Sequence, residues 1–347
     1  MGFDLSKLGV TQNIPQVSFT DYSGLIIAEP KFGKTTMASL YPKAVIVPFE
    51  KGYQATVSNV LKKLDDWDDF ISFVDNLEEN REEIGDDLIT IVFDTINEAY
   101  KMCEPYTLRQ LSISDKQNYR IPGDVPHGKF YSERDKIFEI QLKRLFNLGF
   151  MPLFITHSSV KTINPKDGES YQVYGNTMPD RLQGIINPLV SYIVYGQRTF
   201  LDDGKGGKIP KRMIVTKSDE MTTAGSRVRL DHNIVFDTEV EAMEKFQAAF
   251  KQSVQKTLDE AGITTSIEVL EDQQHKEKGI KIKETVDKLK ADLPTLIKKI
   301  LDTIGEKVNT QGMAVESVMS ILGEFKVTDP NTITDIEVAK AILKKFK

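Results

Sequence analysis

Residues 28–36 have the residue types and the spacing of a loop that binds phosphate groups. An apolar segment, Gly24–Ala28, ends in a short loop, after which Gly33, Lys34 and Thr35 open a segment that can be helical. In such a strand–loop–helix unit, backbone N–H groups and the N-terminus of the helix surround a triphosphate. The residues predicted to bind a nucleotide here are Ala28, Glu29, Pro30, Lys31, Phe32, Gly33, Lys34, Thr35 and Thr36.

Two side chains of this P-loop, as residues 28–36 are called below, would carry the chemistry. Lys34 would reach the β- and γ-phosphates, and the Thr35 hydroxyl would coordinate Mg²⁺. The motif G-x-x-x-x-G-K-[ST] begins with glycine, whereas this chain has Ala28, which can serve where φ is negative. A chance turn before a helix is the alternative. The apolar strand, the spacing and the following helix favour the nucleotide site.

Carboxylates follow two other apolar segments. Asp94 comes directly after Leu88–Phe93, where a carboxylate is costly unless it is paired with a cation or well hydrogen-bonded. We therefore predict that Asp94 holds Mg²⁺, with capping of the next helix as the alternative. Glu50 comes directly after Ala44–Phe49, where it would orient the attacking water unless it is simply a surface residue.

A histidine ends a further apolar segment. His157 follows Met151–Thr156, and a polar side chain at the carboxyl end of a central strand is placed to sense the γ-phosphate. The alternative is an exposed loop residue without a ligand. With Lys34 and Glu50, His157 completes the predicted catalytic set.

Apolar segments alternate with helical patterns from Tyr22 onward, which predicts an α/β fold with a mainly parallel sheet. The predicted strands are Gly24–Ala28, Ala44–Phe49, Leu88–Phe93, Met151–Thr156, Tyr192–Tyr195 and Met213–Thr216. The predicted helices between them are Lys62–Leu77, Asn97–Met102 and Ser132–Leu148. Residues 202–207 are predicted to form a hairpin turn.

The strand pattern stops near residue 237. Glu239–Glu260 has a helical pattern, Glu271–Lys278 is a candidate charged linker, and helices broken near Pro294, Gly312 and Asp329-Pro330 follow. We expect four parts: an N-terminal extension (1–20), the P-loop core (21–237), a helix with a charged linker (238–280) and a C-terminal all-helical module (281–347). The lysines of the last part form either a solvated surface or a surface for nucleic acid or another partner.

Composition excludes several classes of protein. The single cysteine, Cys103, excludes an intrachain disulfide framework and fits a reducing cytoplasm, and no apolar run is long enough to span a membrane. The four histidines and one cysteine have no zinc-site spacing. A net charge of −6 argues against a basic surface over the whole protein but allows a local nucleic-acid groove.

The order of P-loop, Glu50, Asp94 and His157 resembles the RecA-like branch of P-loop ATPases. More narrowly, it resembles the phage-encoded AAA/RecA-like NTP-binding proteins, including the single-strand annealing ATPases of phage recombination. The resemblance covers about Phe19 to Phe236. It implies ATP and Mg²⁺ as cofactors, a site of action in the host cytoplasm, and coupling of the nucleotide state through His157 to a DNA-binding loop.

The resemblance also implies partners. Single-stranded DNA would contact two segments, 109–129 and 158–178, because cations track phosphates and aromatic rings stack on bases; flexible surface loops without a ligand are the alternative. A homo-oligomer is expected, in which Lys217, with Arg198 as the second candidate, reaches the γ-phosphate of a neighbouring protomer; a surface charge is the alternative for both. A single-strand-binding protein is a further candidate partner. The residues expected to contact DNA are Arg109, Lys116, Tyr119, Arg120, His127, Lys129, Lys161, Lys166, Tyr171 and Tyr174.

Three functions are compatible with these features. The leading hypothesis is a Mg²⁺-dependent ATPase that binds single-stranded DNA in phage recombination or replication. The second is a nucleotide-gated DNA-binding or annealing module with little hydrolysis, which Ala28 and the irregular loop after it allow. The third is an AAA-type motor that acts on protein.

Overall fold

The computed structural model describes residues 8, 12–165, 167–202, 204–219, 221–309, 313–333 and 335–346. The described residues up to Val74, together with Ile84–Lys276, form one compact unit. Asp75–Glu83 and the described residues from Glu277 onward form a second unit. The P-loop and the other predicted catalytic residues belong to the first unit.

A single sheet forms the centre of the first unit. Among the described residues it has ten strands, eight of which follow the order β10-β8-β7-β1-β5-β4-β2-β3, while β6 pairs with β5 and β9 with β7. The pairs from β7 to β3 along this order are parallel, which confirms the predicted mainly parallel sheet. The strands are β1 Gly24–Ala28, β2 Ala44–Pro48, β3 Asn59–Val60, β4 Thr90–Asp94, β5 Met151–Ile163, β6 Tyr171–Asn176, β7 Tyr192–Asp202, β8 Lys208–Val215, β9 Gly225–Ser226 and β10 Ile234–Phe236.

Strand β1 lies in the middle of the sheet and carries the P-loop at its end. All five of its residues are buried, as expected for a parallel strand covered on both faces. Ala28 pairs with His157 of β5 on one side and with Gly196 of β7 on the other. Because the carboxyl ends of parallel strands meet at one edge of the sheet, the P-loop lies there beside Glu50 after β2, Asp94 at the end of β4 and His157 within β5.

Helices pack on the sheet in the first unit, and the elements described in the second unit are helices. They are α1 Lys34–Ser39, α2 Trp67–Glu79, α3 Arg81–Ile84, α4 Ile96–Asp115, α5 Lys129–Asn147, α6 Asp180–Leu189, α7 Glu239–Glu260, α8 Ile267–Asn309, α9 Val315–Gly323 and α10 Ile336–Phe346. Helix α7 has the predicted bounds. Its Phe246 and Phe250 pack against Phe19, and Phe246 also packs against Tyr192, whose hydroxyl donates a hydrogen bond to Tyr41 Oη over 3.0 Å.

Two predictions for the C-terminal region are wrong. Glu271–Lys278 is not a linker, and Pro294 does not break the helical pattern, because both lie inside α8. Glutamate and lysine are good helix formers, so a charged stretch with solvated side chains stays helical. The predicted break at Asp329-Pro330 is confirmed, since α9 ends at Gly323, α10 begins at Ile336, and the residues described between them include a 3₁₀ turn at Pro330–Thr332. Gly312 lies outside the described residues.

The second unit has its own apolar core, as expected for a helical module. Its α8 part, α9 and α10 supply the buried residues Ile300, Val318, Leu322, Ile342 and Phe346. Across the described part of the chain, no helix is both long and apolar enough to cross a membrane.

Candidate nucleotide-binding site

The conformation of the P-loop is set by one glycine and one buried phenylalanine. Gly33, which precedes α1, has φ = 105°, a left-handed conformation that favours glycine. The Phe32 ring is fully buried against Phe236 and against Gly196, where an added Cβ would lie 2.4 Å from the ring. Ala28 is the last residue of a regular strand, so a Cβ is tolerated where the motif has glycine. The exposed tip of the loop is formed by Pro30 and Lys31.

Lys34 is held at the mouth of the P-loop. Its ammonium group donates hydrogen bonds to the carbonyl oxygens of Ala28 and Glu29, both over 2.9 Å, and lies 3.3 Å from His157 Nδ1. Burial lowers the pKa of Lys34, while the carboxylates of Asp94, Glu50 and Glu29 oppose that shift. A desolvated cation surrounded by acceptors is suited to bind the anionic oxygens of a phosphate.

Thr35 and Asp94 meet where a P-loop protein holds its metal. The Thr35 hydroxyl donates to Asp94 Oδ2 over 2.7 Å, so Asp94 is engaged with α1 rather than in capping the helix that follows it. Burial raises the pKa of Asp94, the hydrogen bond from Thr35 opposes this shift, and the nearby Glu50 adds to it. A Cβ at Gly52 would lie 3.4 Å from Thr35 Oγ1 and 3.5 Å from Asp94 Oδ2, so the residue after β2 that borders this pair of oxygens is a glycine without a side chain.

The oxygen atoms of Thr35 and Asp94 are suitable ligands for Mg²⁺. A hydroxyl and a carboxylate are the oxygen ligands that Mg²⁺ takes from a protein when phosphates and water complete its shell. The described residues contain no cluster of three or more His, Cys, Asp or Glu side chains that could hold a metal by themselves. The pair Thr35 and Asp94 would therefore bind Mg²⁺ together with a nucleotide.

Glu50 and His157 extend the site away from the P-loop. Thr95 Oγ1 donates to Glu50 Oε1 over 2.6 Å, and Glu50 Oε2 lies 3.3 Å from His157 Nε2. The side chains of Glu50 and His157 are each about one-third exposed, at 33% and 31%. Since the other nitrogen of His157 contacts Lys34, the three residues predicted to be catalytic lie in one continuous chain of contacts.

Three further residues contact the P-loop, and sequence reasoning found none of these contacts. Arg212 of β8 donates to the carbonyl oxygen of Phe32 over 3.0 Å and pairs with Glu239 at the start of α7. Burial opposes ionisation of Glu239, but the hydrogen bond from Arg212, a backbone hydrogen bond and the charge of Arg212 together lower the pKa of that carboxyl. Arg198 of β7 pairs with Glu29 over 2.6 Å. Nothing in the local sequence marks these partners, because they lie more than 160 residues from the P-loop.

Two predicted nucleotide contacts are less engaged. Thr36 is half-buried in α1, where its carbonyl oxygen accepts from Ser39. Lys217 is exposed beyond β8, where its charge adds to the hydrogen bond and charge of Lys256 that chiefly lower the pKa of Asp231. Within the described ranges no hydrogen bond joins Lys217 to its own P-loop, so its action on a neighbouring protomer stays a prediction.

Neither predicted DNA-contacting segment is a simple loop. Arg109–Asp115 belongs to α4, and the cations at the ends of the first segment are already paired, Arg109 with Asp68 and Lys129 with Asp115. Of the other residues predicted there, Lys116, Arg120 and His127 are exposed, while Tyr119 is half-buried.

The second segment is a β-hairpin, with Ser158–Ile163 of β5 antiparallel to β6. Lys161 and Tyr171 are exposed on it, Tyr174 is half-buried against Tyr195, and Lys166 lies outside the described residues. The hairpin closes on the site, because Thr177 N–H donates to the carbonyl oxygen of His157 over 3.0 Å. Sequence reasoning missed the hairpin since its exposed strands lack a continuous apolar pattern.

Comparisons with known proteins agree with this site. A family model described as an AAA domain matches residues 20–228, a range that contains the P-loop, Glu50, Asp94 and His157. The SPbeta prophage-derived uncharacterized protein YorG of Bacillus subtilis (strain 168) is 24% identical over 134 residues, or 39% of this chain. The match spans 40% of the length of that relative. Its prophage origin agrees with the predicted resemblance to phage-encoded P-loop proteins.

Proposed function

Since the chain belongs to the AAA domain family, a family of P-loop NTPases, we propose that it is a Mg²⁺-dependent ATPase that binds single-stranded DNA in phage recombination or replication. The observation that carries the proposal is the position of His157. Its ring contacts both Lys34 and Glu50. Its carbonyl oxygen accepts a hydrogen bond from Thr177 N–H at the base of the β5–β6 hairpin. Binding or loss of the γ-phosphate would therefore alter contacts of His157, which lies at the base of an exposed hairpin.

The proposed reaction is transfer of the γ-phosphoryl group to water. Lys34 and the P-loop amides would stabilise the charge on the phosphates, and Glu50 would orient the attacking water. Bound Mg²⁺, held by Thr35 and Asp94, would neutralise charge on the phosphate oxygens. The hydrogen bond from Thr95 fixes one oxygen of Glu50, which leaves the other toward His157 and the P-loop.

The β5–β6 hairpin is the favoured surface for single-stranded DNA. It combines the exposed cation Lys161 with the exposed ring of Tyr171, which suits a phosphate backbone and an unstacked base. The segment 109–129 is less suited, because its terminal cations Arg109 and Lys129 already pair with carboxylates. Action in the host cytoplasm, assembly into a homo-oligomer through Lys217 and cooperation with a single-strand-binding protein belong to the same proposal.

Steady-state ATP hydrolysis with Mg²⁺ tests the proposal when wild type and Lys34→Ala are compared with and without single-stranded DNA. We expect turnover that depends on Lys34 and rises with DNA. Nucleotide binding without turnover would favour the gated annealing module, and turnover indifferent to DNA would favour a motor that acts on protein. Equal turnover by wild type and Lys34→Ala would contradict the site itself.

A further inference from the structure

The P-loop contains a carboxylate, that of Glu29, whose negative charge should repel the phosphates of a bound nucleotide. Glu29 directly follows β1, and its carbonyl oxygen is one of the two that bind the ammonium group of Lys34. The Glu29 side chain therefore belongs to the same residue that holds the cation expected to meet the triphosphate. An uncompensated carboxylate in the loop that surrounds a triphosphate repels its phosphate oxygens.

Arg198 supplies the compensation. Its Nε donates to Glu29 Oε1 over 2.6 Å, and both side chains are about half exposed. Exposed ion pairs contribute little to folding stability, so this pair has little value as a stabilising contact. The position of the pair is more informative. It lies at the first residues of the P-loop, whose carbonyl oxygens bind the Lys34 ammonium group.

Arg198 is fixed at the base of the β7–β8 hairpin. Two residues earlier in β7, Gly196 packs on the Phe32 ring, and Arg212 lies opposite Arg198 in the strand pairing. Arg212 holds the carbonyl oxygen of Phe32 at the other end of the loop. The base of this hairpin thus contacts the P-loop at its start and at its end.

We propose that Arg198 is a positioning residue for triphosphate binding within its own chain. It pairs with Glu29, removes the repulsion between that carboxylate and the phosphates, and orients the start of the P-loop. This inference rests on the proposed nucleotide site. It differs from the expectation that Arg198 reaches the γ-phosphate of a neighbouring protomer, because its partner is a P-loop residue of the same chain.

A charge cycle tests this role. The affinity for a fluorescent ATP analogue with Mg²⁺ is measured at low salt for wild type, Arg198→Ala, Glu29→Gln and the double variant. The Arg198–Glu29 pair is neutral in wild type and absent in the double variant. Arg198→Ala leaves the negative charge of Glu29, and Glu29→Gln leaves the positive charge of Arg198. We expect Arg198→Ala to bind about three- to tenfold more weakly, Glu29→Gln to bind at least as tightly as wild type, and the double variant to recover to within about twofold of wild type.

Two controls make the result specific. Arg229→Ala removes another exposed arginine that pairs with a glutamate, Glu260, and should leave the affinity unchanged. Arg198→Lys keeps the charge and should restore most of the affinity. The loss in Arg198→Ala should also shrink at high salt, because screening weakens the repulsion from Glu29.

The outcomes separate this inference from the proposed function. Weaker binding by Glu29→Gln, or a double variant no better than Arg198→Ala, would overturn the charge role of Arg198. Normal binding by Arg198→Ala with loss of hydrolysis only in the assembled state would overturn it in favour of action on a neighbour. If wild type bound nucleotide no better than Lys34→Ala, the proposed nucleotide site would fail as well.

Discussion

The Thr35 hydroxyl donates a hydrogen bond to Asp94 Oδ2 over 2.7 Å, which joins the first turn of α1 to the end of β4. The two residues are 59 positions apart in sequence, and the parallel sheet brings them together because β1 and β4 both pair with β5. The same edge brings Glu50 and His157 within 3.3 Å of each other. The site is therefore a product of the strand order as much as of the P-loop itself.

Replacing Asp94 with asparagine should remove metal-dependent binding while keeping the shape of the site. The amide oxygen can still accept from Thr35, but a neutral amide is a much poorer Mg²⁺ ligand than a carboxylate. We expect the affinity for ATP with Mg²⁺ to fall by about 10- to 100-fold, with little change in the absence of Mg²⁺. Titration calorimetry with and without the metal measures this difference. Asp86→Asn, at an exposed carboxylate that contacts His275, is the matched control; an equal loss in both variants would contradict the assignment.

The raised pKa of Asp94 predicts a stability effect in the nucleotide-free protein. Burial favours the neutral acid in the folded state, so the folded protein holds a proton that the unfolded chain releases at lower pH. The contribution of Asp94 to the free energy of unfolding is complete below its ordinary pKa and is lost as the pH rises through the raised value. Asp94→Asn should therefore raise the melting temperature at neutral pH, and this gain should disappear in acid. Thermal unfolding over a pH series checks both; a lower melting temperature at neutral pH would refute the prediction.

Much of this arrangement is visible in the sequence because its signals are local. The P-loop residues are contiguous, and Glu50, Asp94 and His157 each directly follow an apolar segment of the sequence. Helix α7 has the predicted bounds because its apolar residues keep a helical period over 22 residues. Helix α4 is longer than predicted and contains Pro105, which shows that packing can override a local breaker.

The rest of the site depends on long-range packing that leaves no local pattern. Arg212, Arg198 and Glu239 come to the P-loop only because β7 and β8 form an antiparallel extension beside β1. The predicted strands Tyr192–Tyr195 and Met213–Thr216 covered only their apolar parts. The exposed continuations of these strands mix polar and apolar residues without regular alternation and bury little, so periodicity alone does not separate them from loops.

Gly196→Ala should damage the site from outside the P-loop. A Cβ at this position would lie 2.4 Å from the Phe32 ring, which is fully buried and has no room to move without shifting the loop. Overpacking of this kind costs about 1–3 kcal/mol, and nucleotide affinity should fall together with the melting temperature. Gly225→Ala, in β9, is the matched control because nothing lies within 4 Å of the added carbon. Thermal unfolding and nucleotide titration of both variants test the prediction, and equal behaviour would contradict it.

Two exposed side chains of the β5–β6 hairpin should control affinity for single-stranded DNA. Tyr171→Ala removes a ring that can stack on one base, which should cost about 1 kcal/mol, or about fivefold in affinity. Lys161→Glu should weaken binding further and lower the dependence of affinity on salt by about one phosphate contact. Fluorescence anisotropy with a labelled oligonucleotide at several salt concentrations measures both effects. Lys143→Glu, at an exposed lysine on α5, is the charge control. Because Lys161 and Tyr171 lie outside the nucleotide site, DNA-independent turnover should not change, and normal DNA affinity in both hairpin variants would exclude this surface.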